Sequence, residues 1–275
     1  MTAAGTMGVT RPENPATKGA KHLLRLALLV ALAAPLLVLI GALGTKLGLW
    51  DWRVGFGLLT VNWAPKAAFL GVFVGLAALY VAAFAGFRRL WPLALASVLI
   101  PVLAVVGFGA FRASATSVPP IHDYATDWTQ PLMPSPALLA ARGPKANPIE
   151  PDPRMKGRPG GPEVENWADN RIARIGSEVC TGAKPVTLAE VPAAAKARVR
   201  KAVEDAGLTL VGETPDGLEA TATTFWYDFK DDVIVRVRPE GAGSRVDLRS
   251  VSRVGQSDLG ANCARLTKLT AALRS

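Results

Sequence analysis

Apolar residues are concentrated in the first part of this chain. Residues 23–43, 67–87 and 90–111 form three nearly unbroken apolar runs, and their only charged residue is Arg25. About 20 apolar residues, rising 1.5 Å each, cross the hydrocarbon core of a bilayer. Each run therefore predicts a transmembrane helix. Pro92 falls in the first turn of the third run, where a missing N–H is harmless. Pro35 and Pro101 fall inside runs and predict kinks. Gly71, Gly75, Gly86, Gly107 and Gly109 permit close approach of neighbouring helices. The first run is longer than a signal-peptide core and follows a polar stretch, so it reads as an uncleaved helix. Between the first two runs, residues 49–63 interleave Trp50, Trp52 and Trp63 with polar groups, a composition suited to the headgroup zone.

Beyond residue 111 the pattern changes twice. Residues 112–168 carry Pro119, Pro120, Pro131, Pro134, Pro136, Pro144, Pro148, Pro151, Pro153, Pro159 and Pro162, which interrupt regular structure, so this segment reads as a linker. From Asp169 the pattern is globular. Val191, Ala195, Val199, Ala202 and Ala206 form a helical stripe ended by Gly207. Strands are predicted over 208–212, 218–226, 232–238 and 244–253. In the third, Val233, Val235 and Val237 oppose Ile234, Arg236 and Arg238; in the fourth, Val246 and Leu248 oppose Arg245, Asp247, Arg249 and Arg253. A last helix over 259–273, with Ser257 or Asp258 as cap, aligns Leu259, Cys263, Leu266, Thr270 and Leu273. The fold class expected is a three-span α-helical transmembrane region plus an α+β domain, the latter an antiparallel four-stranded meander covered by two helices. The domains expected are a cytoplasmic tail (1–22), the transmembrane region (23–111), a linker (112–168) and an extracytoplasmic domain (169–275).

Charge refines this picture. The net charge is +9, but residues 1–111 hold nine Lys/Arg and two acids, leaving the remainder near neutral. A basic excess flanking apolar runs points to membrane orientation and anionic headgroups rather than nucleic acid. Arg11, Lys18, Lys21, Arg25, Arg88 and Arg89 outnumber Lys46, Arg53, Lys66 and Arg112. The N-terminus is thus expected inside, and three crossings place residues 112–275 in the periplasm of an inner-membrane protein.

Three stretches carry a family resemblance: Phe229-Lys230-Asp231-Asp232-Val233-Ile234-Val235-Arg236, Ser244-Arg245-Val246-Asp247-Leu248-Arg249-Ser250-Val251-Ser252-Arg253-Val254-Gly255, and Ser257-Asp258-Leu259-Gly260-Ala261-Asn262-Cys263-Ala264-Arg265. With them the sequence resembles the DUF1499 family, a domain of unknown function in bacterial envelope and plastid proteins. Pro119-Pro120-Ile121-His122-Asp123-Tyr124-Ala125-Thr126-Asp127 resembles the leading segment of its membrane-attached members. The stretch around 142–166 is longer and more irregular than the family connector. The resemblance implies a membrane-anchored domain and supplies no reaction.

Candidate chemistry gathers near the last helix. Asp258, Asn262 and Arg265 share a helical stripe, and the preceding strand brings Arg249 and Arg253. These five residues suit either an anion pocket at a helix N-terminus or a structural network tying helix to sheet. Asp232, Arg236, Arg245 and Asp247 are expected in such a network, on a solvated face with cross-strand ion pairs; a docking surface for headgroups or protein is the alternative. His122, Asp123 and Asp127 are too few for a zinc site, and neither a metal nor a cofactor is expected. Cys180 and Cys263 suit one disulfide in an oxidising compartment, although Cys263 also suits a buried free thiol. Phe225, Trp226, Tyr227 and Phe229 form either core or a hairpin tip touching membrane or partner. The expected function is a non-catalytic envelope component whose partners are membrane lipids and an envelope protein or anionic ligand. The alternative is an enzyme or carrier for lipid or cell-wall material, acting through Asp258, Asn262 and Arg265.

Overall fold

A computed structural model describes residues 15–84, 90–155 and 171–275. Arg11, Gly86, Arg88, Arg89, Asp169 and most of the Pro/Gly-rich stretch 154–162 lie outside the described residues. The chain divides into two compact units, Met1–Arg112 and Ala113–Ser275.

In the first unit, α1 (Pro15–Lys46) packs against α2 (Ala64–Phe84) and against a π-helical stretch, Arg53–Trp63, that runs directly into α2. The third apolar helix is α3 (Trp91–Thr116). All three apolar helices are long and apolar enough to cross a membrane. Of the stretch 49–63 between the first two apolar runs, residues 53–63 are π-helical and lengthen the second apolar helix to Arg53–Phe84. The contact of this π-helical stretch with α1 explains why the chain stays helical there. The Trp50 ring lies over Gly44, where an added Cβ would stand 2.0 Å from the indole. Burial in this unit favours small side chains. Ala27, Ala31, Ala34, Ala68, Ala78 and Ala82 are buried, whereas Leu29, Phe69, Phe73 and Leu103 point outward. Small residues inside and large apolar ones outside is the arrangement of helices packed in an apolar solvent.

The second unit is built on an antiparallel sheet. Its strands are β1 (Asp123–Ala125), β2 (Val186–Leu188), β3 (Thr209–Thr214), β4 (Gly217–Thr223), β5 (Lys230–Glu240) and β6 (Gly243–Ser252). The order is β1-β6-β5-β4-β3, and β2 also pairs with β6. The four-stranded meander is present as β3 to β6, and the correction is two more strands. Both lie along the outer edge of β6, with Asp123 opposite Val251 and Val186 opposite Val246. Three residues are too few to display a two-residue periodicity, and β1 follows a proline pair.

The helices are α4 (Pro136–Arg142), α5 (Ile172–Val179), α6 (Pro192–Asp205) and α7 (Ala261–Arg274). One sheet face carries Leu218, Ala220, Val233, Val235, Val237, Val246 and Leu248. It forms the main core with Val199 and Val203 of α6, Leu266, Leu269 and Leu273 of α7, and Ile172 and Ile175 of α5. Three helices rather than two therefore contribute to that core. The opposite face carries the alternating charges, and it is not simply solvated. Residues 127–150, including α4, lie over it, with Leu132 and Leu138 packed on Ile234, while Met155 joins the main core. Part of the stretch expected as a Pro/Gly-rich linker and extended entry segment thus covers the second face of the sheet.

Candidate functional site

The side chains singled out in the sequence fall into two clusters, one on each face of the sheet. On the strapped face, Arg249 of β6 is 0 % exposed. Its Nε and Nη2 donate to Asp123 at 2.9 and 2.6 Å. Nη1 donates to the Leu132 carbonyl at 2.8 Å, and Nη2 also to the Glu150 carbonyl at 2.7 Å. The guanidinium lies 4.9 Å from the ring centre of Trp128. Strand alternation explains the meeting: Arg249 points away from the valine face, and β1 pairs with β6 so that Asp123 points the same way. A bidentate pair with two further carbonyl acceptors satisfies most of what a buried guanidinium needs.

Asp232 is the second hub and is also fully buried. It accepts from Arg142 Nη1 at 2.5 Å, from Arg253 Nε and Nη2 at 2.9 and 2.8 Å, and from the Thr221 hydroxyl at 2.7 Å. Arg253 donates further to the Ala141 carbonyl at 2.6 Å. Burial lowers the pKa of Arg142, and Asp232 opposes that shift. Nearer the β5–β6 turn, buried Asp247 meets Arg236 at 3.2 Å, Arg238 at 3.3 Å and Arg245 at 2.9 Å. Arg245 also reaches Asp127 at 2.8 Å, and Gln130 receives Arg238. Burial pushes the Asp127 carboxyl up, but Thr129, Arg245 and Arg238 outweigh it and hold its pKa below the usual value. The side chains of Arg236, Arg238 and Arg245 remain 20–27 % exposed and form a half-open rim at the β5–β6 end of this face.

On the other face, α7 docks onto the end of β6 through polar contacts. Asn262 accepts from the Ser250 hydroxyl at 2.5 Å and donates to the His122 carbonyl at 3.0 Å and to Ser252 at 2.9 Å. Arg265 pairs with Asp231 at 2.7 Å and donates to Ser250 at 2.9 Å. Asp258 accepts the amides of Gly260 and Asn262, both at 2.8 Å, at the start of α7. Gly260, with φ +82°, occupies the cap position itself. Burial pushes the Asp258 carboxyl up to about 6; the two amide bonds oppose that and the charge of Asp231 adds to it. Burial and the Asp258 carboxylate also raise the pKa of Tyr124.

Every one of Arg249, Arg253, Asp258, Asn262 and Arg265 is thus engaged by the protein itself, and the five divide between two faces rather than converging on one pocket. Asp123 and Asp127 are held by Arg249 and Arg245, and His122 Nδ1 lies 3.3 Å from the Gln256 carbonyl. Among the described residues no group of three His, Cys, Asp or Glu could hold a metal ion. An open cleft of about 310 Å³ lies between α6 and α7, lined by Arg198, Lys201, Lys268 and Leu269 among others; Asp258, Asn262 and Arg265 do not line it. Cys180, ending α5, is joined to Cys263, in the first turn of α7, with Cα atoms 5.6 Å apart. Several partners were invisible in the sequence. Arg142, Trp128 and Ser135, which binds Glu219 at 2.6 and 2.5 Å, sit in the proline-rich stretch, where no periodicity marks a buried position.

Residues 166–273 match a family model described as a protein of unknown function (DUF1499). The match leaves both β1 and the covering stretch 127–150 outside it. No curated protein and no solved structure matches the chain.

Proposed function

Taking the C-terminal part of this chain, residues 166–273, as a DUF1499 domain, we propose that three apolar helices hold the protein in an inner membrane and that the domain stands in the periplasm. There it acts as a rigid, non-catalytic module that binds an envelope protein or an anionic ligand. The observation that carries this reading is the burial and mutual pairing of the charges on the strapped face. The carboxylates of Asp123 and Asp232 hold Arg249, Arg253 and Arg142. Groups locked this way fix a shape, and their polar atoms are already taken by one another. What the face offers outward is its half-open rim, Arg236, Arg238 and Arg245, an arrangement suited to carboxylate or phosphate groups. The positive charge flanking the first and second apolar runs supports a cytoplasmic N-terminus, and the Cys180–Cys263 bridge suits an oxidising compartment.

Two measurements test this. Fusions at Ser275 should be active as alkaline phosphatase and dark as a cytosolic fluorescent protein; the reverse pattern would overturn the periplasmic placement. Mild crosslinking of cells carrying wild-type protein or Arg238→Lys with Arg245→Lys, which keep a positive charge beside Asp247 and Asp127 but lose the planar fork, should weaken a crosslinked species in the variant while its unfolding midpoint stays close to wild type. Identical crosslinked species from both would remove the rim from the binding reading.

A further inference from the structure

We propose that the β4–β5 hairpin tip inserts its aromatic side chains into the surface of the bilayer that anchors the chain. The inference rests on the membrane-spanning reading above and is indifferent to the side on which the domain stands. Phe225 is 70 % exposed and Trp226 55 % exposed. They are the only large aromatic side chains of the second unit so exposed among the described residues. The two rings meet edge to face with centroids 5.1 Å apart, so they present one apolar surface. Behind them Tyr227 and Phe229 stack at 5.6 Å. The turn is firmly closed: the Thr224 amide donates to the Phe229 carbonyl and the Phe229 amide to the Thr224 hydroxyl, each at 2.9 Å.

Topology decides where this tip points. β5 starts at the turn and pairs with the far end of β6, Asp231 opposite Ser252. The Arg253 amide donates to the Lys230 carbonyl, which joins the loop after β6 to the same end of the sheet. That loop carries Leu259, 42 % exposed. The chain arriving from α3 reaches this same end. The Ser252 amide donates to the His122 carbonyl, the Asp258 amide to the Ile121 carbonyl, and Val118 lies against Gly260. α3 ends at Thr116. The five residues from there to Ile121 span at most about 18 Å. Across the sheet, the turn stands two to three strand spacings from β1, about 10–15 Å. The end of the domain bearing Phe225, Trp226 and Leu259 is therefore the end tethered to the last apolar helix. Trp and Phe at such a position gain by burying ring area while the indole N–H stays among polar headgroups. An aromatic surface left in water would be costly, and a bilayer surface within tether length is the occupant that the connectivity supplies.

The test uses the full chain, whose two native cysteines are occupied by their bridge. Trp226→Cys, Ala242→Cys and Phe73→Cys are each labelled with a nitroxide in vesicles of phosphatidylcholine and phosphatidylglycerol. Ala242 lies in the β5–β6 turn at the opposite end of the sheet, and Phe73 on the outer surface of α2. Power-saturation spectroscopy reads collisions with oxygen, enriched in lipid, and with a water-soluble nickel chelate. The label at 226 should collide with nickel several-fold less than that at 242, with oxygen access raised toward that at 73. If 226 matches 242 while 73 remains in lipid, the hairpin inference fails and the spanning reading stands. Nickel access at 73 equal to that at 242 would overturn both. Low access of both reagents at 226 would mean protein covers the tip, which also overturns insertion.

Discussion

Arg249 illustrates how much of this domain rests on single charged residues. Its guanidinium has no contact with water and is held by Asp123, two carbonyls and the Trp128 ring. Removing one partner of a buried ion pair leaves an uncompensated charge, a loss of about 3–5 kcal/mol. Arg249→Ala is therefore expected to lower the unfolding free energy of the domain by about that amount in chemical denaturation. A near-neutral result would mean that the pair is open to water. Asp258 makes a different prediction. Its carboxyl titrates at about 6 when folded, against 3.8 as the ordinary value. Between these values the folded chain binds more protons than the unfolded one. Its contribution to stability is thus fully present below 3.8 and is lost as pH rises through about 6. Asp258→Asn, which stays neutral, should remove that part of the slope from a stability–pH curve. Wild type and variant with parallel curves would place the Asp258 pKa back at its ordinary value.

At the scale of elements, the second unit is organised by β6, which pairs with β1, β2 and β5. Strap and sheet are joined by side chains from each. Asn147 illustrates this: its Nδ2 donates to the Ser252 and Gly255 carbonyls at 3.2 and 2.8 Å, and its carbonyl receives Arg142 at 2.7 Å. α5 has little surface of its own to bury, being eight residues long. The Cys180–Cys263 bridge fastens it to α7 across a separation of 83 residues. Constraining so long a loop in the unfolded chain is worth about 2–4 kcal/mol. Cys180→Ala with Cys263→Ala should lower stability by about that much, and earlier protease cleavage near 171–180 is expected. Unchanged cleavage and an unchanged unfolding midpoint would show that α5 is held without the bridge.

At the scale of the whole molecule, the two units bury different kinds of side chain. The second encloses leucine, isoleucine and valine on the apolar face of its sheet. The first encloses alanine and glycine and turns its large side chains outward. An added Cβ at Gly75 would lie 2.3 Å from the Ser97 carbonyl oxygen, so the α2 backbone sits directly against α3 there. Gly75→Leu should separate these helices, read as loss of a disulfide crosslink engineered between α2 and α3 one or two turns away. Retention of the crosslink would show that the helices tolerate the bulk. The full chain should also stay with membranes through alkaline carbonate washing and leave only with detergent. Release by carbonate alone would contradict three spanning helices.

The division between what sequence determines and what tertiary structure decides follows from the range of each signal. Helix 23–43 and strands 232–238 and 244–253 are legible because hydrophobic burial repeats with a local period, so neighbours in the chain report one another's environment. Even Asp232 and Arg253 stand out, since alternation assigns them to one face. Asp123, Trp128 and Arg142 carry no such period. Asp123 and Arg142 are buried, and Trp128 half-buried, because a proline-rich stretch folds back over charges about 90 to 126 positions away along the chain. The strength of an ion pair depends on distance and exclusion of water, and only the folded chain sets either. In the sequence Arg249 suits either an anion pocket or a structural network; the strap, arriving from before the domain, places its acceptors beside it and makes it part of a network.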